Sequence, residues 1–145
     1  MIVYAESSAV LAWLLGEASQ VVVLRALKQA DSVVTSSLTA VECSRGVARA
    51  RSLGRIAAAD ELAALRLLDV AESSWDVHDL SDDVMARARA AFPTEQVRTL
   101  DALHLATALI FQEALGNVHL LSFDERIRAN AVALGLPVVP TTMPE

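Results

Sequence analysis

Four carboxylates are the residues of this sequence whose types and spacing point most directly to chemistry. Glu6, Glu42, Asp101 and Asp124 each stand just after a β-rich run or in an early turn of a helical one. Acids crowded at one place repel one another and persist only when cations offset them. An oxygen-only donor set suits a hard ion, Mg²⁺ or Mn²⁺. Two such ions can activate a water and stabilise the leaving oxygen of a phosphodiester. Each acid also has an ordinary explanation. Thr39–Glu42 and Ser122–Glu125 fit capping boxes, Asp101 follows Thr99 at a helix start, and Glu6 suits a first turn. Singly, such acids are more often structural; four at corresponding positions are harder to dismiss.

Other chemistries find little support. His78, His104 and His119 have no zinc-site spacing, and Cys43 is the only cysteine, which excludes a thiolate cluster and an intrachain disulfide. His104 is expected on the surface or in the packing of its helix. No Gly-rich phosphate loop is present. Ser7, Ser8 and Ser122 lack a convincing histidine base. Their hydroxyls are expected to cap helices or to orient carboxylates, with equal weight on each role.

The elements that must position these acids alternate along all 145 residues, which read as one domain over 1–145. The chain is 54% hydrophobic with only 5 Gly and 4 Pro, as expected of a globular fold. Strands are expected at Ile2–Ala5, Ser32–Thr35, Trp75–His78, Val118–Leu121 and Pro137–Val139. Helices are expected at Ser7–Leu15, Val21–Gln29, Thr39–Ser52, Ala57–Ala71, Asp82–Ala91, Thr99–Leu115 and Asp124–Leu134. Pro93 should stop the fifth helix, and Gly116 should close the sixth. This alternation predicts a parallel sheet covered by helices on both faces. Ligands in such folds bind beyond the carboxyl ends of the strands.

The formal net charge is −6, but the distribution matters more than the sum. Lys28 is the only lysine, and Arg45, Arg49, Arg51 and Arg55 fall in one short segment, Arg45 and Arg49 one helical turn apart. Arginine's planar fork suits phosphate, although a solvated helix face balanced by nearby acids explains the cluster equally well. Arg98 is open to the same two readings. The start of the chain has no basic, apolar leader, and Asp101 and His104 interrupt the most apolar stretch. A cytoplasmic protein without a membrane span is expected. Val10–Leu15 and Leu62–Leu68 offer apolar surface that should mostly enter the core. Any remainder, with Trp13 as its marker, would serve a dimer face or a groove for a partner helix.

The motifs resemble those of PIN-domain nucleases, in particular VapC-like toxins. Ile2–Val10, a strand ending in acid-Ser-Ser, is similar to the first motif, and Ser37–Glu42 to the second. Arg98–Ala108 is the most specific match, to the third motif. Leu121–Glu125 with Gly135–Val138 resembles the closing motif and final strand. The resemblance implies an α/β/α sandwich with a five-stranded parallel sheet and Mg²⁺- or Mn²⁺-dependent cleavage of RNA. It also implies dimerisation and silencing by a VapB-like antitoxin. By position, Glu6, Glu42 and Asp101 would be the principal metal ligands and Asp124 would complete the acidic rim. Ser8 and Ser122 would support them, while Arg45, Arg49 and Arg98 would hold RNA phosphates. Glu6 stands where the family usually has aspartate. It is expected still to bind metal, since charge and location are kept. The rival reading is a weakened or silent PIN-like module that binds RNA or protein. A phosphatase-like or receiver-type domain fits poorly, because no Asp-x-Asp follows the first strand and no lysine follows Lys28.

Overall fold

The computed structural model describes residues 1–145. Its elements in chain order are β1 (Ile2–Ala5), α1 (Ser7–Leu14), α2 (Gln20–Gln29), β2 (Ser32–Ser36), α3 (Ser37–Ser52) and α4 (Ala58–Ser74). There follow β3 (Asp76–His78), α5 (Asp82–Ala88), α6 (Thr99–Leu115), β4 (Val118–Leu121), α7 (Glu125–Ala133) and β5 (Val138–Val139). The five strands form one parallel sheet in the order β3-β2-β1-β4-β5. All carboxyl ends therefore lie along the same edge.

Alternation along β1 sorts the core into layers. Tyr4 points toward α6 and α7, where it joins Val34, Leu105, Leu120 and Ile127. Val3 and Ala5 point the other way, toward α1 to α4, and pack with Ala9, Val10, Val23, Cys43 and Leu68. A period of two in the strand thus feeds two separate apolar layers, as an α/β/α sandwich requires. The helices α1 and α3 approach closely: a Cβ on Gly46 would stand 2.6 Å from a Leu11 methyl. At Gly116, φ of +67° lets the chain leave α6 and enter β4 within two residues.

Most ends match the sequence reading within one residue, and α4 runs three residues further than expected, to Ser74. Two other boundaries differ for identifiable reasons. The helix α3 begins directly at Ser37, because the Ser36 hydroxyl caps it by accepting from the Leu38 N–H at 3.1 Å. Thr39 is consequently inside the helix, its hydroxyl 2.8 Å from that of Thr35, so Thr39–Glu42 is no capping box. The helix α5 ends at Ala88, well before Pro93. Phe92 turns into the α6 core with the Arg87 guanidinium 4.5 Å from its ring centroid, and burying that ring draws the chain out of the helix.

Candidate active site

The first acid follows β1 without an intervening residue. Glu6 caps α1 through Oε1, which accepts from the Ser8 N–H at 3.1 Å. Its other oxygen accepts from the Ser8 hydroxyl and from the Ser122 hydroxyl, the latter at 2.6 Å. Those hydroxyl oxygens in turn accept the backbone N–H groups of Phe123 at 2.9 Å and Asp124 at 3.1 Å. One buried carboxylate, 3% exposed, thereby ties the β1–α1 turn to the β4–α7 turn. Of the two roles open to them in the sequence, Ser8 and Ser122 take the second, orienting the Glu6 carboxylate and bracing the turn that leads into α7.

Asp124 caps α7, and its Oδ1 accepts from Arg126 N–H at 2.9 Å and Ile127 N–H at 3.0 Å. The cap is therefore Asp124 itself, not Ser122. Asp101 lies in the first turn of α6, where Oδ2 accepts from the Arg98 N–H at 3.1 Å. Burial raises the Asp101 pKa, and the charge of Asp124 adds to the rise against the lowering contact with Arg98. The carboxylates of α6 and α7 thus feel each other across the edge of the sheet.

Glu42 lies in the second turn of α3. Its Oε1 accepts from the Ser7 hydroxyl at 2.7 Å and from Nε2 of His104. Burial pulls its pKa upward, but the His104 hydrogen bond and charge, with Ser7, outweigh this and leave it lowered. His104 is 1% exposed, and its other nitrogen, Nδ1, meets the Tyr4 hydroxyl at 2.8 Å. The sequence reading assigned His104 to surface or packing and missed this network. A signal was present: a histidine inside the apolar run Ala102–Ala106 of α6, one helical turn after Asp101.

The four acids share the carboxyl edge but do not close around one point. No three His, Cys, Asp or Glu side chains stand close enough to hold a metal ion together. Both oxygens of Glu6 are engaged by its clamp, whereas Glu42 is bonded through Oε1 alone, to His104 and Ser7. Even so, the donor chemistry fits a hard divalent cation. Glu42, Asp101 and Asp124 each keep one carboxylate oxygen without a protein hydrogen bond. No lysine or arginine forms a salt bridge with any of the four; the one basic side chain in contact with them is His104, hydrogen-bonded to Glu42. Negative charge gathered without lysine or arginine to balance it is what a bound cation would offset.

The arginines lie outside this cluster. Arg45 and Arg49 are exposed on α3, three and seven residues beyond Glu42, and Arg98 is exposed at the start of α6. None has a carboxylate within salt-bridge distance. Trp13 is half-buried against Trp75, with ring centroids 6.4 Å apart, so it belongs to the rim of the core. The largest surface hollow lies elsewhere, among Arg87, Leu109, Glu113 and Leu134, and contains none of the four acids. No helix is long and apolar enough to cross a membrane.

The family model described as "PIN domain" matches residues 3–133. The chain is 34% identical over 106 residues to Ribonuclease VapC35 of Mycobacterium tuberculosis, covering 73% of this chain and 70% of that protein. It is 32% identical over 137 residues to Ribonuclease VapC46 of the same organism, covering 94% and 95%. Among solved structures, a toxin–antitoxin complex from Klebsiella pneumoniae superposes with a TM-score of 0.67 at 17% identity, covering 98% of this chain and 99% of that one. VapBC2 from Rickettsia felis, bound to a DNA fragment from its promoter, gives 0.62 at 18% identity, covering 95% and 97%.

Proposed function

The chain belongs to the PIN-domain family, and from that premise we propose that it is a divalent-metal-dependent endoribonuclease, the toxin of a VapBC-like pair. The observation that carries this reading is the set of carboxylates at the sheet edge with no lysine or arginine partner, Asp101 facing the charge of Asp124. Similarity to two proteins named as ribonucleases supports the reaction class, and similarity to toxin–antitoxin complexes supports the antitoxin partner.

Glu42, Asp101 and Asp124 would hold Mg²⁺ or Mn²⁺ through their free oxygens, with Glu6 completing the negative field. The ion, when bound, supplies a water acidified for attack and offsets charge on the scissile phosphate. Ser8 and Ser122 keep Glu6 from swinging out, and the capping bonds fix Asp101 and Asp124 on rigid helix starts. Arg45, Arg49 and Arg98 would take flanking phosphates, their side chains being exposed and free of carboxylate partners. The net charge of −6 should keep such binding weak, and because the arginine–phosphate contacts release counterions, affinity should fall as salt rises. Exposed Leu62, Leu67 and Val70 on α4 supply apolar surface for a second copy or an antitoxin helix.

The test is cleavage of total RNA by purified protein with Mg²⁺, with EDTA, and by Asp101→Ala. Cleavage should require the ion and fall at least about 100-fold in the variant, since loss of a ligand should cost no less than loss of its support. Cleavage unaffected by EDTA sinks the metal-dependent mechanism. One observation favours a second reading, a non-cleaving RNA-binding module: both Glu6 oxygens are occupied by the protein. RNA binding without any cleavage in Mg²⁺ or Mn²⁺ selects that alternative.

A further inference from the structure

We propose that His104, anchored by Tyr4, is a positioning residue that holds Glu42 in one orientation for metal binding. The inference deepens the nuclease reading and rests on it.

Its basis is a chain of contacts running from the core to the sheet edge. The Tyr4 hydroxyl meets Nδ1 of His104 at 2.8 Å, and Nε2 meets Oε1 of Glu42. Ser7 braces the far end, with its hydroxyl 2.7 Å from the same Glu42 oxygen and 3.0 Å from Nε2. Tyr4, Ser7 and His104 are all buried, and the Tyr4 and His104 rings meet edge to face with centroids 6.0 Å apart. The Glu42 carboxylate can only accept, so Nε2 carries the hydrogen and donates it, and Nδ1 of the neutral ring accepts from the Tyr4 hydroxyl.

The consequence lies in the two oxygens of Glu42. Oε1 is committed to His104 and Ser7, while Oε2 has no protein partner. A glutamate in the second turn of a helix has three rotatable bonds, and a half-exposed one would otherwise sample many orientations. A charge-assisted bond from a ring that cannot itself move removes that freedom and leaves one oxygen presented. His104 also lies three residues after Asp101 on α6, so the same helix that carries one acid sets the orientation of another.

The experiment compares His104→Leu, His104→Gln, His104→Asn and Tyr4→Phe by Mn²⁺ affinity, RNA cleavage and Tm. The Gln amide can present an N–H where Nε2 stands, whereas Asn is too short to reach Glu42. His104→Leu and His104→Asn should each lose about 10- to 100-fold in Mn²⁺ affinity, His104→Gln should recover most of it, and Tyr4→Phe should fall between. In a Glu42→Ala background, His104→Leu should cause no further loss of affinity. Equal affinity in Gln, Asn and Leu variants, or losses that follow Tm alone, overturns the proposal. If the Leu variant does not fold, proton NMR of the intact protein decides. An exchange-protected Nε2–H resonance of His104 that is lost in Glu42→Ala supports the contact, and its absence refutes it. Wild-type protein that neither binds Mn²⁺ nor cleaves RNA overturns the nuclease reading itself, a result distinguishable from a silent His104 series in an active enzyme.

Discussion

At the amino end of the central strand β1, the Met1 ammonium pairs with Asp31 at the start of β2, and the Asp31 side chain is 83% exposed. At the carboxyl end of the same strand, Glu6 is 3% exposed and has only hydroxyls and a backbone N–H for partners. The first charge pair sits in water, where attraction is weak and salt screens it. The second carboxylate is held by hydrogen bonds, which shield it from solvent without neutralising it. Glu42, Asp101 and Asp124 surround that end, and none is paired with a lysine or arginine. One strand therefore has an end where charge is ordinary surface chemistry and an end where charge is stored.

The contrast is broken most severely by removing stored charge. Asp101→Asn should abolish cleavage to the same extent as Asp101→Ala, at least about 100-fold. In metal-free buffer it should also raise Tm. The sign follows from the raised folded pKa of Asp101: the folded state holds its proton more tightly, so this group's contribution falls as pH rises from the ordinary aspartate value through the raised one. Asn cannot ionise, so its advantage should appear above that window and shrink when Mg²⁺ is added. A lower Tm in metal-free buffer would show that the capping bond to Arg98 outweighs the repulsion.

Next comes the clamp. Ser122→Ala removes a 2.6 Å bond to the buried Glu6 carboxylate and should cost about 1.5–3 kcal/mol in urea denaturation. A cost near zero would mean that water replaces the hydroxyl. Glu6→Asp sharpens the same point with a smaller change. The shorter side chain cannot span to both Ser8 and Ser122, so Tm should fall and single-turnover cleavage should not rise. A tenfold gain would identify the glutamate as a catalytic defect.

The smallest effect belongs to the other end of β1. Asp31→Asn should leave Tm unchanged within error at neutral pH and moderate salt. The terminal amino group lowers the Asp31 pKa, so whatever stability it supplies is present above the ordinary aspartate range and disappears as pH falls through the lowered value. A Tm loss comparable to that of Ser122→Ala would erase the distinction between the two ends.

Much of this architecture was legible in the residues. Short runs such as Ile2–Ala5 and Val118–Leu121 are apolar and β-branched enough to be strands of a sheet covered on both faces, and Gly116 marks the stop of α6. The four acids stood out because each follows a strand or opens a helix, and a parallel sheet places such positions along one edge. Helix boundaries were less legible: Ser36 and Thr39 are both competent caps, and only the position of Thr39 against Thr35 in the folded chain selects between them.

Residue pattern was enough to set the period of each element and to put the acids at strand ends and helix starts, because backbone geometry makes side-chain direction a local property. What those acids do with their oxygens came from long-range packing. Hydrogen bonds from Ser122 to Glu6 and from His104 to Glu42 join residues 116 and 62 positions apart. No local pattern specifies such pairs; they exist because β1, α3, α6 and β4 pack to within a few ångströms, and a buried polar atom takes the nearest complementary partner.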